Sequence, residues 1–187
     1  QIEVGVLLVT PMLTLFVLAM PILVPLLSSA KFVNAIPMAI CATFYVFFRA
    51  FTLPVSYLAL AKSDSRLYML TELVYDIFIA LAIPYAYKYW GLSGAGWALS
   101  VAGLLDMLSI HALYAIKYHF RLDVSQLRLY LMQLLCFSVA VFASLQADLW
   151  MKAVAAIAMV ASVIISIIVM RSRTHIISNL KKRLWRK

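Results

Sequence analysis

Three formal charges lie deep inside apolar stretches: Arg49 within about 36–61, Asp76 within about 67–88 and Asp106 within about 92–116. At about 1.5 Å of helical rise per residue, Arg49 is about 18 Å from Ala61, Asp76 about 14 Å from Leu67 and Asp106 about 15 Å from Ile116. These depths coincide near the middle of a hydrocarbon core about 30 Å thick. A charge there costs about 2.5–3.5 kcal/mol against lipid, so the three are expected to face one another or a shared hydrated cavity. Two chemistries fit. Arg49 can pair with Asp76 or Asp106 and lock helices together. Alternatively Arg49 recognises an anion, because its planar fork donates paired hydrogen bonds to phosphate. Both hold if the pair opens when a substrate arrives. Glu72 and His111 form a second layer, each about 8 Å from a helix end. Glu72 shares a helix face with Asp76, four residues on. A carboxylate or imidazole turned to a cavity can titrate as a coupling proton site. Tyr45, Thr52 and Tyr75 are candidate hydrogen-bonding groups for a sugar. Arg49, Asp76, Asp106, Tyr45 and Tyr75 thus make the expected binding set, with Glu72 and His111 as the coupling candidates.

The elements that must hold these groups follow from composition. The chain has 187 residues, of which 66% are apolar and 12% charged, with a mean hydropathy of +1.00. Soluble domains carry about 25% charge, so an ordinary soluble enzyme, a disordered tail and a disulfide scaffold are excluded. In lipid only helices and closed barrels satisfy the backbone. Barrel strands alternate apolar and polar residues, and these runs are apolar on all sides. The expected class is all-α, a polytopic bundle of six transmembrane helices over about 4–27, 36–61, 67–88, 92–116, 129–147 and 151–170. A basic tail over 171–187 follows.

Orientation follows from where Lys and Arg fall. With the tail in the cytoplasm, twelve of the 16 Lys and Arg lie on that side, three on the other, and Arg49 lies within a span. The net charge of +9 therefore reflects topology and attraction to anionic lipid, not a nucleic-acid partner. The tail residues Arg171, Arg173, Lys181, Lys182, Arg183, Arg186 and Lys187 interleave with Ile176, Ile177, Leu180 and Leu184. That spacing suits an amphipathic helix on the membrane surface.

Pro11, Pro21, Pro25, Pro54 and Pro84 fall inside the first three spans, where they permit bending, and Pro37 falls at a helix start. Gly96, Ser100 and Gly103 recur at helical spacing and allow a neighbouring helix close approach. Cys41 and Cys136 read as small packing residues. Gly91-Leu92-Ser93-Gly94 matches the GxSG of intramembrane serine proteases, but the in-span His111 lies on the same helix about 27 Å away, too far to act as base. Nothing calls for a metal or a cofactor, and the chain is not expected to be an enzyme. Gln1 opens directly into an apolar stretch, which suggests a piece of a longer protein.

In their order and spacing, three segments resemble polysaccharide (O-antigen type) flippases of the multidrug/oligosaccharidyl-lipid/polysaccharide exporter superfamily. They are Pro11 to Ser29 (PMLTLFVLAMPILVPLLSS), Phe48 to Leu73 (FRAFTLPVSYLALAKSDSRLYMLTEL) and Gly91 to Gly103 (GLSGAGWALSVAG). The resemblance implies part of a twelve- to fourteen-helix transporter in the bacterial inner membrane. Residues 1–116 would be four helices of the C-terminal lobe, 117–170 an additional helix pair and 171–187 the cytoplasmic tail. It further implies that the whole protein, with its N-terminal lobe, flips undecaprenyl-diphosphate-linked saccharides for surface polysaccharide synthesis. Arg49 would be the cationic group that meets the diphosphate. The alternatives are a multidrug exporter of the same superfamily and a membrane-embedded glycan-synthesis enzyme.

Overall fold

The computed structural model describes residues 2–27, 30–119, 123–146 and 148–184. Every element among them is helical. They are α1 (Ile2–Leu27), a 3-10 turn (Ala30–Ala35), α2 (Ile36–Ala61), α3 (Ser65–Tyr118), α4 (Val124–Ser144) and α5 (Leu149–Leu184). All five α-helices are long and apolar enough to cross a membrane.

Local chemistry sets the helix ends nearest the charged residues. Pro37 sits in the first turn of α2, where a missing N–H leaves nothing unpaired. Beyond Lys62, Ser63 adopts φ 58° and reverses the chain. The Asp64 carboxylate then caps α3 by accepting from the Leu67 amide at 3.4 Å. At the far end His119, with φ 53°, closes α3 through its amide to the Tyr114 carbonyl.

α3 has 54 residues and would be about 81 Å long if straight. Its two ends nevertheless touch: Lys117 Nζ is 2.6 Å from Asp64 Oδ2, and the Tyr118 hydroxyl donates to the same oxygen at 2.8 Å. The chain doubles back at Gly91, where φ is 65° and ψ −154°, a conformation that favours glycine. Two antiparallel arms result, 65–90 and 92–118. The helices containing Pro11, Pro21, Pro25, Pro54 and Pro84 continue through them, so the break within α3 falls at glycine rather than at proline.

α2 occupies the centre, with α1 on one side and the α3 hairpin on the other, while α4 and α5 pack on α1 and on each other. The hairpin approaches α2 along the small-residue stripe. A Cβ added to Gly96 would lie 2.5 Å from the Met38 carbonyl oxygen, and one on Gly103 would lie 3.1 Å from the Tyr45 ring. Between them Ser100 donates to the Cys41 carbonyl at 2.6 Å. The larger core joins α1, α2 and α4 through Val17, Phe44, Phe47, Phe51, Tyr130 and Phe137. Phe47 and Phe137 stack at 5.2 Å.

The six expected spans appear as five long helices, since 67–88 and 92–116 both fall within α3, and two boundaries also differ from the sequence reading. α4 begins at Val124 instead of about 129, because Asp123 ends the preceding loop and the residues after it are helix-compatible. α5 runs without a break past Arg171 to Leu184, since nothing in 171–184 is a helix breaker. Arg171 is exposed. The side chains of Arg173, Lys181, Lys182 and Arg183, and the whole of Arg186 and Lys187, lie outside the described residues.

Candidate functional site

The centre of α2 carries Arg49 toward the crevice between α2 and the α3 hairpin. Its Nη1 donates to Asp106 Oδ2 at 3.0 Å, and its Nη2 donates to Glu72 Oε2 at 2.5 Å. One guanidinium thus bridges both arms of the hairpin, because Glu72 belongs to the first and Asp106 to the second. The side chains of Arg49 and Glu72 retain 18% and 20% exposure, against 5% for Asp106. Arg49 and Glu72 are therefore the more open members of the cluster, and Asp106 the most buried.

Two tyrosines extend the cluster. The Arg49 guanidinium lies 5.2 Å from the centre of the Tyr75 ring, within cation–π range. Tyr45 stacks on Tyr75 at 6.3 Å with the rings 9° from parallel. Arg49, Asp106, Tyr45 and Tyr75 are thus brought together from the expected binding set.

Asp76 is the exception. It is exposed, and the second carboxylate on Arg49 is Glu72. Of the two pairings read from the sequence, Arg49–Asp106 forms and Arg49–Asp76 does not, Glu72 standing in the place of Asp76. Rise places Cα atoms, whereas an arginine side chain extends by about a helical turn, roughly 5–6 Å, and so reaches a residue assigned to another layer. His111 is placed elsewhere as well. Its ring stacks on Phe51 at 4.9 Å, and its Nδ1 is 2.7 Å from the Met107 carbonyl oxygen. Thr52 is fully buried and its hydroxyl donates to the Phe48 carbonyl at 3.0 Å, so it offers nothing to a sugar.

Beside the cluster, between the two arms, runs a groove of about 530 Å³. Its walls include Leu70, Val74, Phe78 and Leu105, with Tyr75 and Asp106 also on its lining. A charged cluster and an apolar channel thus share two residues. Such a juxtaposition suits an amphiphile, with a polar head at Arg49 and a hydrocarbon part between the arms.

At the end of the hairpin away from Gly91, Lys117 and Tyr118 hold the Asp64 carboxyl below the ordinary carboxylate range, chiefly through their hydrogen bonds. Lys62 lies 4.6 Å from the centre of the Tyr118 ring. This clamp ties the two ends of the hairpin together.

A second polar site, between α4 and α5, went unmarked in the sequence. The Gln133 amide nitrogen donates to Ser166 Oγ at 3.0 Å, and Ser162 Oγ donates to the Gln133 carbonyl at 2.8 Å. A glutamine inside an apolar span, with two serines four residues apart on the next one, was the available signal.

No protein-family model, curated protein or solved structure matches the chain.

Proposed function

We propose that the chain is part of a transporter that moves an amphiphilic, lipid-linked anion across a membrane, an undecaprenyl-diphosphate-linked saccharide for surface polysaccharide synthesis. The observation that carries the reading is the guanidinium of Arg49 beside the apolar groove between the arms of α3. A diphosphate exchanging places with the carboxylates would gain the paired hydrogen bonds that Arg49 now gives to Glu72 and Asp106. The prenyl chain would stay in the groove or the surrounding lipid. Tyr45 and Tyr75 would stand beside the first sugar.

In this reading each arm of α3 crosses the bilayer, which makes six crossings and leaves both termini in the cytoplasm of the bacterial inner membrane. The turn at 62–64 and the end of α3 at His119 then share the cytoplasmic side, in keeping with the Lys117–Asp64 contact. A second lobe of similar kind completes the pathway, and alternating access comes from rocking of the two lobes.

The test is Arg49→Ala in the intact protein. Surface-glycan export is expected to be lost while the protein still inserts, and unchanged export rejects the role of Arg49.

One observation favours a second reading. Arg49, Glu72 and Asp106 carry a formal charge of −1 when all are ionised, which suits an organic cation and hence a multidrug exporter of the same superfamily. Drug-accumulation and surface-glycan assays on the same Arg49→Ala strain separate the two.

A further inference from the structure

The charge balance around Arg49 poses a problem that the geometry resolves. A diphosphate would have to enter a site that already holds two carboxylates on a single guanidinium. Both outer nitrogens of that guanidinium are occupied. The second oxygen of Glu72, Oε1, is buried and accepts no hydrogen bond among the described residues. A buried anionic oxygen without a donor is costly, and a proton on it removes the cost. The Tyr75 hydroxyl, on a residue only 6% exposed that lines the groove, lies beside the Tyr45 ring. The site therefore has capacity for a proton at Glu72 Oε1.

We propose that Glu72 and Asp106 form a proton-binding site that competes with an anionic ligand for Arg49. The inference rests on the reading of Arg49 as an anion receptor. Each carboxylate takes one proton from the aqueous phase, forming one O–H bond, and Arg49 keeps its own charge. The cluster passes from a formal −1 to +1. The neutral carboxyl groups release the guanidinium to the diphosphate, and their new O–H groups donate to its oxygens. When the diphosphate leaves, the two protons dissociate and the carboxylates recapture Arg49.

The groups around the cluster leave this assignment to the two carboxylates. Tyr45 comes from α2, Tyr68 and Tyr75 from the first arm and Tyr114 from the second, and all lie close enough to interact with its charges. Phenols ordinarily titrate near pH 10, far from the working range. His111 stands on the second arm against Phe51 and Met107. From α1 the charged residue is Glu3, two positions before Gly5, which packs near the Ala50 carbonyl.

The test uses the intact protein in detergent micelles with farnesyl diphosphate as the probe. At about pH 8, Glu72→Gln/Asp106→Asn should bind the probe about tenfold or more tightly than the unaltered chain, because each amide imitates a protonated carboxyl. Asp76→Asn, which neutralises an exposed carboxylate outside the cluster, should change affinity less than about twofold. In weakly buffered solution the unaltered chain should take up protons as the probe binds, a measurement that needs no variant. Binding that Arg49→Gln abolishes, with no proton uptake and no gain in the double variant, overturns this proposal alone. A gain from Asp76→Asn equal to that of the double variant also overturns it. Absence of binding, or binding indifferent to Arg49→Gln, overturns the anion-receptor reading itself.

Discussion

Two polar clusters interrupt this apolar bundle, and they solve the same problem in opposite ways. Gln133, Ser162 and Ser166 are neutral, buried and hydrogen-bonded to one another, with no more than 5% exposure. Arg49, Glu72 and Asp106 are charged, unequal in number by sign, partly open, and leave Glu72 Oε1 without a partner. A neutral closed network holds two helices together and can do little else. A charged, partly open cluster with an unused oxygen costs stability that a purely adhesive role does not need. Under the proposed function the α4–α5 pair is support, and the crevice between α2 and α3 is where a solute would be handled.

The largest test of that contrast is Arg49→Met. It leaves Glu72 and Asp106 facing each other without a cation, and should destabilise the protein by about 3–5 kcal/mol in detergent unfolding at about pH 8. Replacing all three with Met, Met and Leu should recover most of that loss while transport stays absent. Full stability in Arg49→Met alone would show the cluster to be solvated and loosely coupled. A smaller effect is expected in the other cluster. Gln133→Leu should cost about 0.6–2 kcal/mol, the worth of interhelical hydrogen bonds in membranes, and should leave transport unchanged. Lost transport with intact folding would erase the distinction between the two regions. The smallest effect concerns the clamp at the hairpin ends. The Asp64 carboxyl titrates lower when folded, so its contribution is present above about pH 4, its unfolded value, and is lost as pH falls through the lower folded value. Asp64→Asn should flatten that acid limb of the stability curve, and an unchanged limb would assign it to other carboxylates.

The coincidence of Arg49 and Asp106 in depth could be read from rise alone, because both helices end at well-marked loops. The choice between Glu72 and Asp76 could not. They stand four residues apart, about 40° around the helix, and only the packing of α2 decides which of the two is covered. The close approach of α2 to the hairpin was legible in Gly96, Ser100 and Gly103, since small residues at that spacing have few other uses inside an apolar helix. The doubling back was legible as a glycine-rich break, but whether the reversal is a loop or a single residue depends on the φ of Gly91. The clamp joining Asp64 to Lys117 and Tyr118 was beyond reach, as its partners are more than fifty residues apart and meet only once the hairpin has closed.

The reversal at Gly91 has a mechanical consequence. Tyr85, Tyr87, Tyr89 and Trp90 crowd the tip of the hairpin and all are exposed, the arrangement that anchors a segment at the boundary between headgroups and acyl chains. The opposite end is tied by the Asp64 clamp. A rod held at both heights resists sliding along its own axis but remains free to swing sideways. Widening of the groove should therefore be a lateral tilt of the arms, with the bilayer acting as the bearing.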